Sequence, residues 1–275
     1  MLTFFTTWYV ILLSENDSGQ EIKMNEAILI VEDLTKSFGR FLVIDGVDLN
    51  IKSGKITFLM GPNGAGKTTL INLVTDRLHP NGGKILFKGE DITRVPAHLL
   101  VKMGITRSFQ VMNVFSRLTV FQNVELPILP IMGKSRKWFT GADGYPDVTK
   151  EVNKVLEKTG LLDEKDVVAG SLSHGDQRLL ELGIAIAPRP ELCFLDEPTS
   201  GTNPMEGAKV MELMKKLSIE EKITFVVVEH DMDTVFSFAD WIVVMNRGKI
   251  LAEGEPEQIR ENKEVLEIYL GEEVA

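Results

Sequence analysis

Apolar residues in this chain fall into short runs bounded by turn signals, interleaved with longer segments of helical spacing. Residues 55–60 (KITFLM), 192–195 (LCFL) and 223–228 (ITFVVV) are mainly apolar without alternation, the pattern of strands buried on both faces. Residues 28–31 form a further apolar run, 41–51 read as a strand, and Ser53-Gly54 reads as a turn. Spacing predicts a helix over 68–78, where Leu70, Ile71, Leu73 and Val74 are apolar, closed by His79-Pro80-Asn81-Gly82-Gly83. A strand over 84–87 and a turn at Lys88-Gly89 follow. Helical spacing resumes around Val120, Phe121 and Val124 and again over 148–162, separated by a Gly/Pro/Lys-rich exposed loop over 130–146. A helix over 206–217 lies between two of the buried strands, 241–245 and 249–251 read as final strands, and 256–270 reads as a closing helix. Strand, loop and helix, then a helical insertion, then more strands alternating with helices predict an α/β domain around a parallel sheet.

Composition narrows the class. With 275 residues the chain suits one large α/β domain or a domain with a subdomain. Apolar residues at 44% and charged residues at 25% exclude a mostly disordered chain. A lone cysteine, Cys193, excludes an internal disulfide framework and fits a reducing compartment. Lys and Arg number 30 against 40 Asp and Glu, a formal net charge of −10. That balance, without a polybasic run, speaks against a nucleic-acid carrier and against electrostatic hold on anionic lipid. Residues 2–13 (LTFFTTWYVILL) are apolar or aromatic with three Thr. This run is shorter than the roughly 20 residues of a spanning helix, and no Lys or Arg precedes it as in a secretory signal. Residues 1–23 read as an N-terminal extension, with Met24 as an alternative start; a short membrane-touching or partner-binding segment is the other reading. No other stretch is long and apolar enough to span a bilayer, so a soluble chain is expected.

Candidate chemistry sits where strands end. Gly61-Pro62-Asn63-Gly64-Ala65-Gly66-Lys67-Thr68 fits G-x-x-x-x-G-K-[ST] between a predicted strand and a predicted helix. Its glycines let backbone N–H groups curl around an anion, and the helix N-terminus adds partial positive charge. Lys67 is placed to reach the β- and γ-phosphates of a nucleoside triphosphate, and the Thr68 hydroxyl to ligate Mg²⁺. The run 192–195 leads into Asp196-Glu197-Pro198, and parallel strands deliver their last residues to the edge where ligands bind. There Asp196 suits Mg²⁺, directly or through water, and Glu197 suits a general base that polarises an attacking water. The run 225–231 repeats this design and carries His230, which would donate to the γ-phosphate or orient Glu197 and the water.

Together with Leu172-Ser173-His174-Gly175-Asp176, these pieces resemble the nucleotide-binding subunit of an ATP-binding cassette (ABC) transporter over residues 24–271. The resemblance implies a P-loop NTPase (RecA-like) fold, with a parallel-sheet core, an antiparallel β edge and an inserted α-helical subdomain. In these terms 24–275 is the ABC ATPase domain: core 24–106 and 189–255, helical subdomain 107–188, C-terminal helix 256–275. Gly61, Pro62, Asn63, Gly64, Ala65, Gly66, Lys67, Thr68 and Thr69 match the Walker A loop, and residues 194–197 the end of Walker B with its catalytic glutamate, Glu197. Gln110, in Arg107-Ser108-Phe109-Gln110, matches the glutamine that contacts Mg²⁺ and faces the permease; His230 matches the switch histidine. Phe38 falls where the family stacks an aromatic ring on adenine, with Phe41 the lesser candidate. Ser173 and Gly175 match the signature motif. On its own residues, Ser173 with Asp176 resembles a capping box opening a helix over 177–187 that Pro188 ends, and such a helix start is a second anion site. The family offers that site to the ATP of the other subunit, so one chain implies two half-sites that a dimer completes.

His174 and Asp176 depart from the usual LSGGQ pattern. Asp176 places negative charge near a docking γ-phosphate, which would slow or regulate hydrolysis, or it serves the cap alone. Asn203-Pro204, the LSHG stretch and the tail 264–271 (EVLEIYLG) are similar to the subgroup importing branched-chain amino acids or urea. The resemblance therefore implies an ATPase using ATP and Mg²⁺, cytoplasmic and peripheral on the inner face of the cell membrane. Its implied partners are two transmembrane permease subunits, a second ATP-binding subunit (copy or paralogue) and, indirectly, a solute-binding protein, with no nucleic acid. A urea importer or an exporter of lipid or lipopolysaccharide is the alternative within transport. A soluble ABC ATPase of DNA repair or translation fits less well, because the chain has neither a long coiled-coil insertion nor a second cassette. A nucleotide switch of low turnover would follow if Asp176 silenced hydrolysis.

Overall fold

The structure, a computed structural model, describes residues 27–108, 114–134 and 145–272. Strands β1 (Ala27–Phe38) and β2 (Phe41–Lys52) form a long antiparallel hairpin. Strand β3 (Ile56–Met60) runs through residues 61–66 into helix α1 (Lys67–Val74). Strands β4 (Gly82–Phe87) and β5 (Glu90–Asp91) follow, then α2 (Ala97–Met103) and β6 (Ile105–Arg107). Three helices come next: α3 (Val120–Ile131), α4 (Pro146–Thr159) and α5 (His174–Ile186). Strand β7 (Leu192–Asp196), α6 (Pro204–Glu221), β8 (Thr224–Val228), α7 (Met232–Phe238) and β9 (Trp241–Asn246) continue the alternation. The chain then forms β10 (Lys249–Gly254), α8 (Pro256–Arg260) and α9 (Lys263–Glu272).

The strands make two sheets. One is antiparallel, in the order β2-β1-β4-β5; the other runs β10-β9-β3-β8-β7-β6 and is parallel except for the edge strand β10. Every residue of β3, β7 and β8 is buried, which is why these strands read as unbroken apolar runs. Alternate side chains feed two cores. Phe58, Cys193, Phe225 and Ile242 face a core shared with α3 to α6. Leu59, Phe194, Val226 and Val243 face a second core with α1 and the antiparallel sheet. Strand order reverses about β3, so the segments after β3, β7 and β8 emerge together at one carboxyl edge.

Local chemistry moved several boundaries from the expected ones. Helix α1 stops at Val74 rather than 78: the Thr75 hydroxyl donates to the Ile71 carbonyl (2.7 Å), and Asp76 turns the chain with φ of 55°. Helix α3 runs through Pro127 and Pro130 to Ile131, so the expected loop at 130–146 begins later; residues 135–144 lie outside the described residues. Helix α5 starts at His174, three residues early, with Ser173 as its N-cap. The single closing helix over 256–270 is instead two, α8 and α9. Asn262 Oδ1 accepts from the N–H groups of Glu264 (3.0 Å) and Val265 (3.2 Å), capping a new helix start.

Candidate active site

The loop after β3 is shaped by what surrounds it. Gly61 has φ of 140°, and a Cβ there would lie 2.1 Å from the Met245 carbonyl oxygen of the neighbouring strand. Gly66, with φ of 108°, is the N-cap of α1 and supplies no side-chain cap; the first turn carries no acidic residue. The start of this helix is therefore left for an external anion. Lys67 is 6% exposed, and its ammonium donates to the carbonyls of Gly61 (2.5 Å) and Pro62 (3.0 Å), arching back over the loop.

Asn63, Gly64, Ala65, Gly66, Lys67, Thr68 and Thr69 line a cleft of about 200 Å³ together with Asp196, Glu197 and His230. Asp196 ends β7 beside Val228 of β8. Glu197 takes φ of 50°, a left-handed conformation costly for a residue with a side chain. Its N–H donates to the Val228 carbonyl (2.9 Å), which extends the ladder by one residue and turns the side chain towards β8. Glu197 Oε1 and His230 Nε2 lie 2.9 Å apart. A carboxylate acceptor with an imidazole beside it, at the open end of a phosphate-shaped loop, is an arrangement able to take a proton from a bound water.

Burial pushes the Asp196 carboxyl above the usual carboxylate range; Arg107 opposes this, Glu197 adds to it, and His230 and Lys67 oppose it. Arg107 Nη2 stands 3.6 Å from Asp196 Oδ2, while its Nη1 donates to Asn72 Oδ1 of α1. Asp196 Oδ2 is buried and has no hydrogen-bond partner. Asp196 and Thr68 line the same cleft, and a carboxylate with a hydroxyl is an oxygen donor set that fits a hard divalent cation. Cys193, three residues earlier on β7, is fully buried, and burial pushes its thiol up to about 12, so it is no nucleophile here.

Ser173 and Gly175 do not line this cleft; they open α5 elsewhere on the chain. Ser173 Oγ accepts from the Asp176 N–H (3.1 Å), but the expected reciprocal arm is absent: the Ser173 hydroxyl instead donates to the Asp176 carboxylate (2.6 Å). Gly175 lies against α6, where a Cβ would meet Glu206 Cγ at 2.8 Å. Phe38 stands at the tip of the β1–β2 hairpin, 45% exposed, with Lys36 Nζ 5.3 Å from its ring centroid; it does not line the cleft, and Phe41 beside it is 79% exposed. Gln110 lies outside the described residues. Arg107 as the neighbour of Asp196, and Arg178, whose guanidinium donates twice to the Ser200 carbonyl (3.1 and 2.6 Å), escaped the sequence reading. The available hint was a cation at the end of a short strand in the first case and one in the first turns of a helix in the second.

The ABC transporter family profile matches residues 44–200, more than half of the chain, and a branched-chain amino acid ATP-binding cassette transporter profile matches 249–275. The high-affinity branched-chain amino acid transport ATP-binding protein BraF of Pseudomonas aeruginosa is 37% identical over 256 residues, covering 90% of this chain and 100% of the relative. The ADP conformation of MJ1267, an ATP-binding cassette of an ABC transporter, superimposes with a TM-score of 0.80 at 33% identity, covering 89% of this chain and 99% of that one. A dimeric post-hydrolysis state of the cassette MJ0796, bound to ADP and Pi, gives 0.69 at 28% identity, covering 83% and 98%. The chain belongs to the ABC transporter family. It is an ATP-binding cassette ATPase with the P-loop α/β fold of that family.

Proposed function

We propose that the chain is the ATP-hydrolysing subunit of an importer of branched-chain amino acids, working as a dimer with a second ATP-binding subunit on two membrane permeases. The observation that carries the ATPase part is the cleft itself, where Lys67, Thr68, Asp196, Glu197 and His230 converge from three strand ends. The substrate class rests on the tail match over 249–275 and on the BraF-like relatives. In this reading Lys67 and the start of α1 hold the β- and γ-phosphates, Glu197 accepts the proton of the attacking water, and His230 keeps Glu197 oriented. Asp196, Thr68 and Gln110 would hold Mg²⁺, which neutralises charge on the phosphates when bound. Phe38 would stack on the adenine. Ser173 and Gly175 serve the nucleotide of the opposite subunit, in keeping with their distance from this chain's own cleft and with the dimeric MJ0796 cassette.

We also take 24–106 and 189–255 as the core, 107–188 as the helical subdomain, 256–275 as the C-terminal part and 1–23 as an extension. A groove of about 430 Å³, lined by Val101, Arg107, Phe115, Leu126, Pro127 and Ile184, suits a permease segment. Among the described residues no helix is long and apolar enough to cross a membrane, so membrane contact would run through the permeases on the inner face. The test is a pull-down of the tagged chain from detergent-solubilised native membranes, followed by uptake of labelled leucine into vesicles holding the recovered complex. Recovery of two multi-spanning proteins and ATP-dependent uptake are expected. Ribosomal or DNA-associated chains in their place would end the transport reading and leave the ATPase standing.

A further inference from the structure

Glu229 is a buried carboxylate to which the reading above assigns no task. It follows β8 and comes immediately before His230. Its Oε1 accepts from the Thr199 N–H (3.2 Å) and from the Thr199 hydroxyl (2.5 Å), and its Oε2 accepts from the His230 N–H (3.2 Å). Thr199 stands two residues after Glu197, on the loop leaving β7. The carboxylate thus spans the two loops whose side chains meet in the Glu197–His230 contact.

The β7–β8 ladder ends at Asp196–Val228 and the bond from the Glu197 N–H to the Val228 carbonyl. Beyond that point the Glu229 bridge holds the loops in register behind the contact itself. Burying a carboxylate is costly unless donors use its lone pairs, and here three donors do. Removing it would leave two backbone N–H groups and a hydroxyl without their shared acceptor in a half-buried place. We propose that Glu229 is a positioning residue: it sets the placement of His230 relative to Glu197 without touching the nucleotide.

The same anchor reaches the signature helix. The Thr199 carbonyl accepts from the Thr202 N–H (3.2 Å) and hydroxyl (2.7 Å). The next carbonyl, that of Ser200, is held by Arg178 of α5. The loop after Glu197 is therefore tied to the switch histidine on one side and to the helix that Ser173 opens on the other. This proposal rests on the reading of Glu197 and His230 as the hydrolytic pair.

The test measures ATPase kinetics, equilibrium ATP binding and thermal melting for Glu229→Ala, Glu229→Gln, Thr199→Val and Thr199→Ser in the purified full chain, with Glu197→Gln alongside. Glu229→Ala should lower kcat by about 100-fold, and Glu229→Gln and Thr199→Val by about 10-fold, with KM and ATP affinity within about twofold. Thr199→Ser, which keeps the hydroxyl donor, should restore kcat to within about threefold of the parent. Should Glu229→Ala fail to fold, Glu229→Gln and the Thr199 pair decide. Unchanged kcat in those variants while Glu197→Gln is dead overturns the positioning role alone. A parallel fall of kcat and ATP affinity also overturns it, because that marks a structural role only. Normal turnover in Glu197→Gln would instead remove the hydrolytic reading on which the proposal stands.

Discussion

The starts of α1 and α5 use the same physical device and treat it in opposite ways. At α1 the N-cap is Gly66, no side chain caps the helix, and no acid lies in the first turn. At α5 Ser173 caps the helix and Asp176 adds a carboxylate to the first turn. The first helix leaves its positive end to a ligand; the second supplies its own anion. Surroundings sharpen the contrast. The first start lies in a cleft with Lys67, Asp196, Glu197 and His230, whereas the second opens away from that cleft. A helix N-terminus becomes a phosphate site only where side chains decline to satisfy it. By that measure α1 is complete within this chain, whereas under the proposed function α5 would meet a phosphate with its Ser173 hydroxyl already given to Asp176.

The strongest way to break the comparison is Glu197→Gln. Turnover should fall by about 10² to 10⁴, the range of general-base catalysis, while ATP still binds and the dimer stays closed on it. Chromatography with ATP and a phosphate-release assay read both effects. Lys67→Ala comes next: ATP affinity should drop by about 10- to 100-fold, as for loss of a charge-assisted phosphate contact, in a fluorescent-nucleotide titration. Unaltered affinity would place the phosphates elsewhere. Ser173→Ala should lower stability by about 1 kcal/mol through the lost cap, seen as a lower denaturation midpoint. The smallest effect is expected for Asp176→Asn. Helix stability should fall by about 0.3–1 kcal/mol, because an acid leaves the positive end of α5. ATP-dependent dimerisation should tighten by a few-fold as like charge near the incoming phosphate is removed. Looser dimers in that variant would mean that Asp176 assists the phosphate rather than opposing it.

What was legible in the chain was local. The segment 61–68 dictates its own bend, because Gly61 and Gly66 adopt conformations closed to other residues and Lys67 bonds back to carbonyls five and six positions earlier. Buried parallel strands announce themselves as unbroken apolar runs, since both faces of β3, β7 and β8 are covered by separate cores. Helix ends were less legible, because single side chains decide them. Thr75 competes for a carbonyl and ends α1, while Asn262 caps a fresh start and splits the tail into two helices.

Only the tertiary structure decided which strand ends share the cleft, and with which neighbours. Arg107 meets Asp196, Glu229 meets Thr199, and Arg178 meets the Ser200 carbonyl because β6, β7 and β8 are adjacent and α5 crosses beside the loop after β7. No periodicity in the chain records those pairings. A motif of contiguous residues carries its geometry in its own backbone dihedrals. A contact between distant residues exists only once strand order has been chosen, and burial of the whole sheet makes that choice.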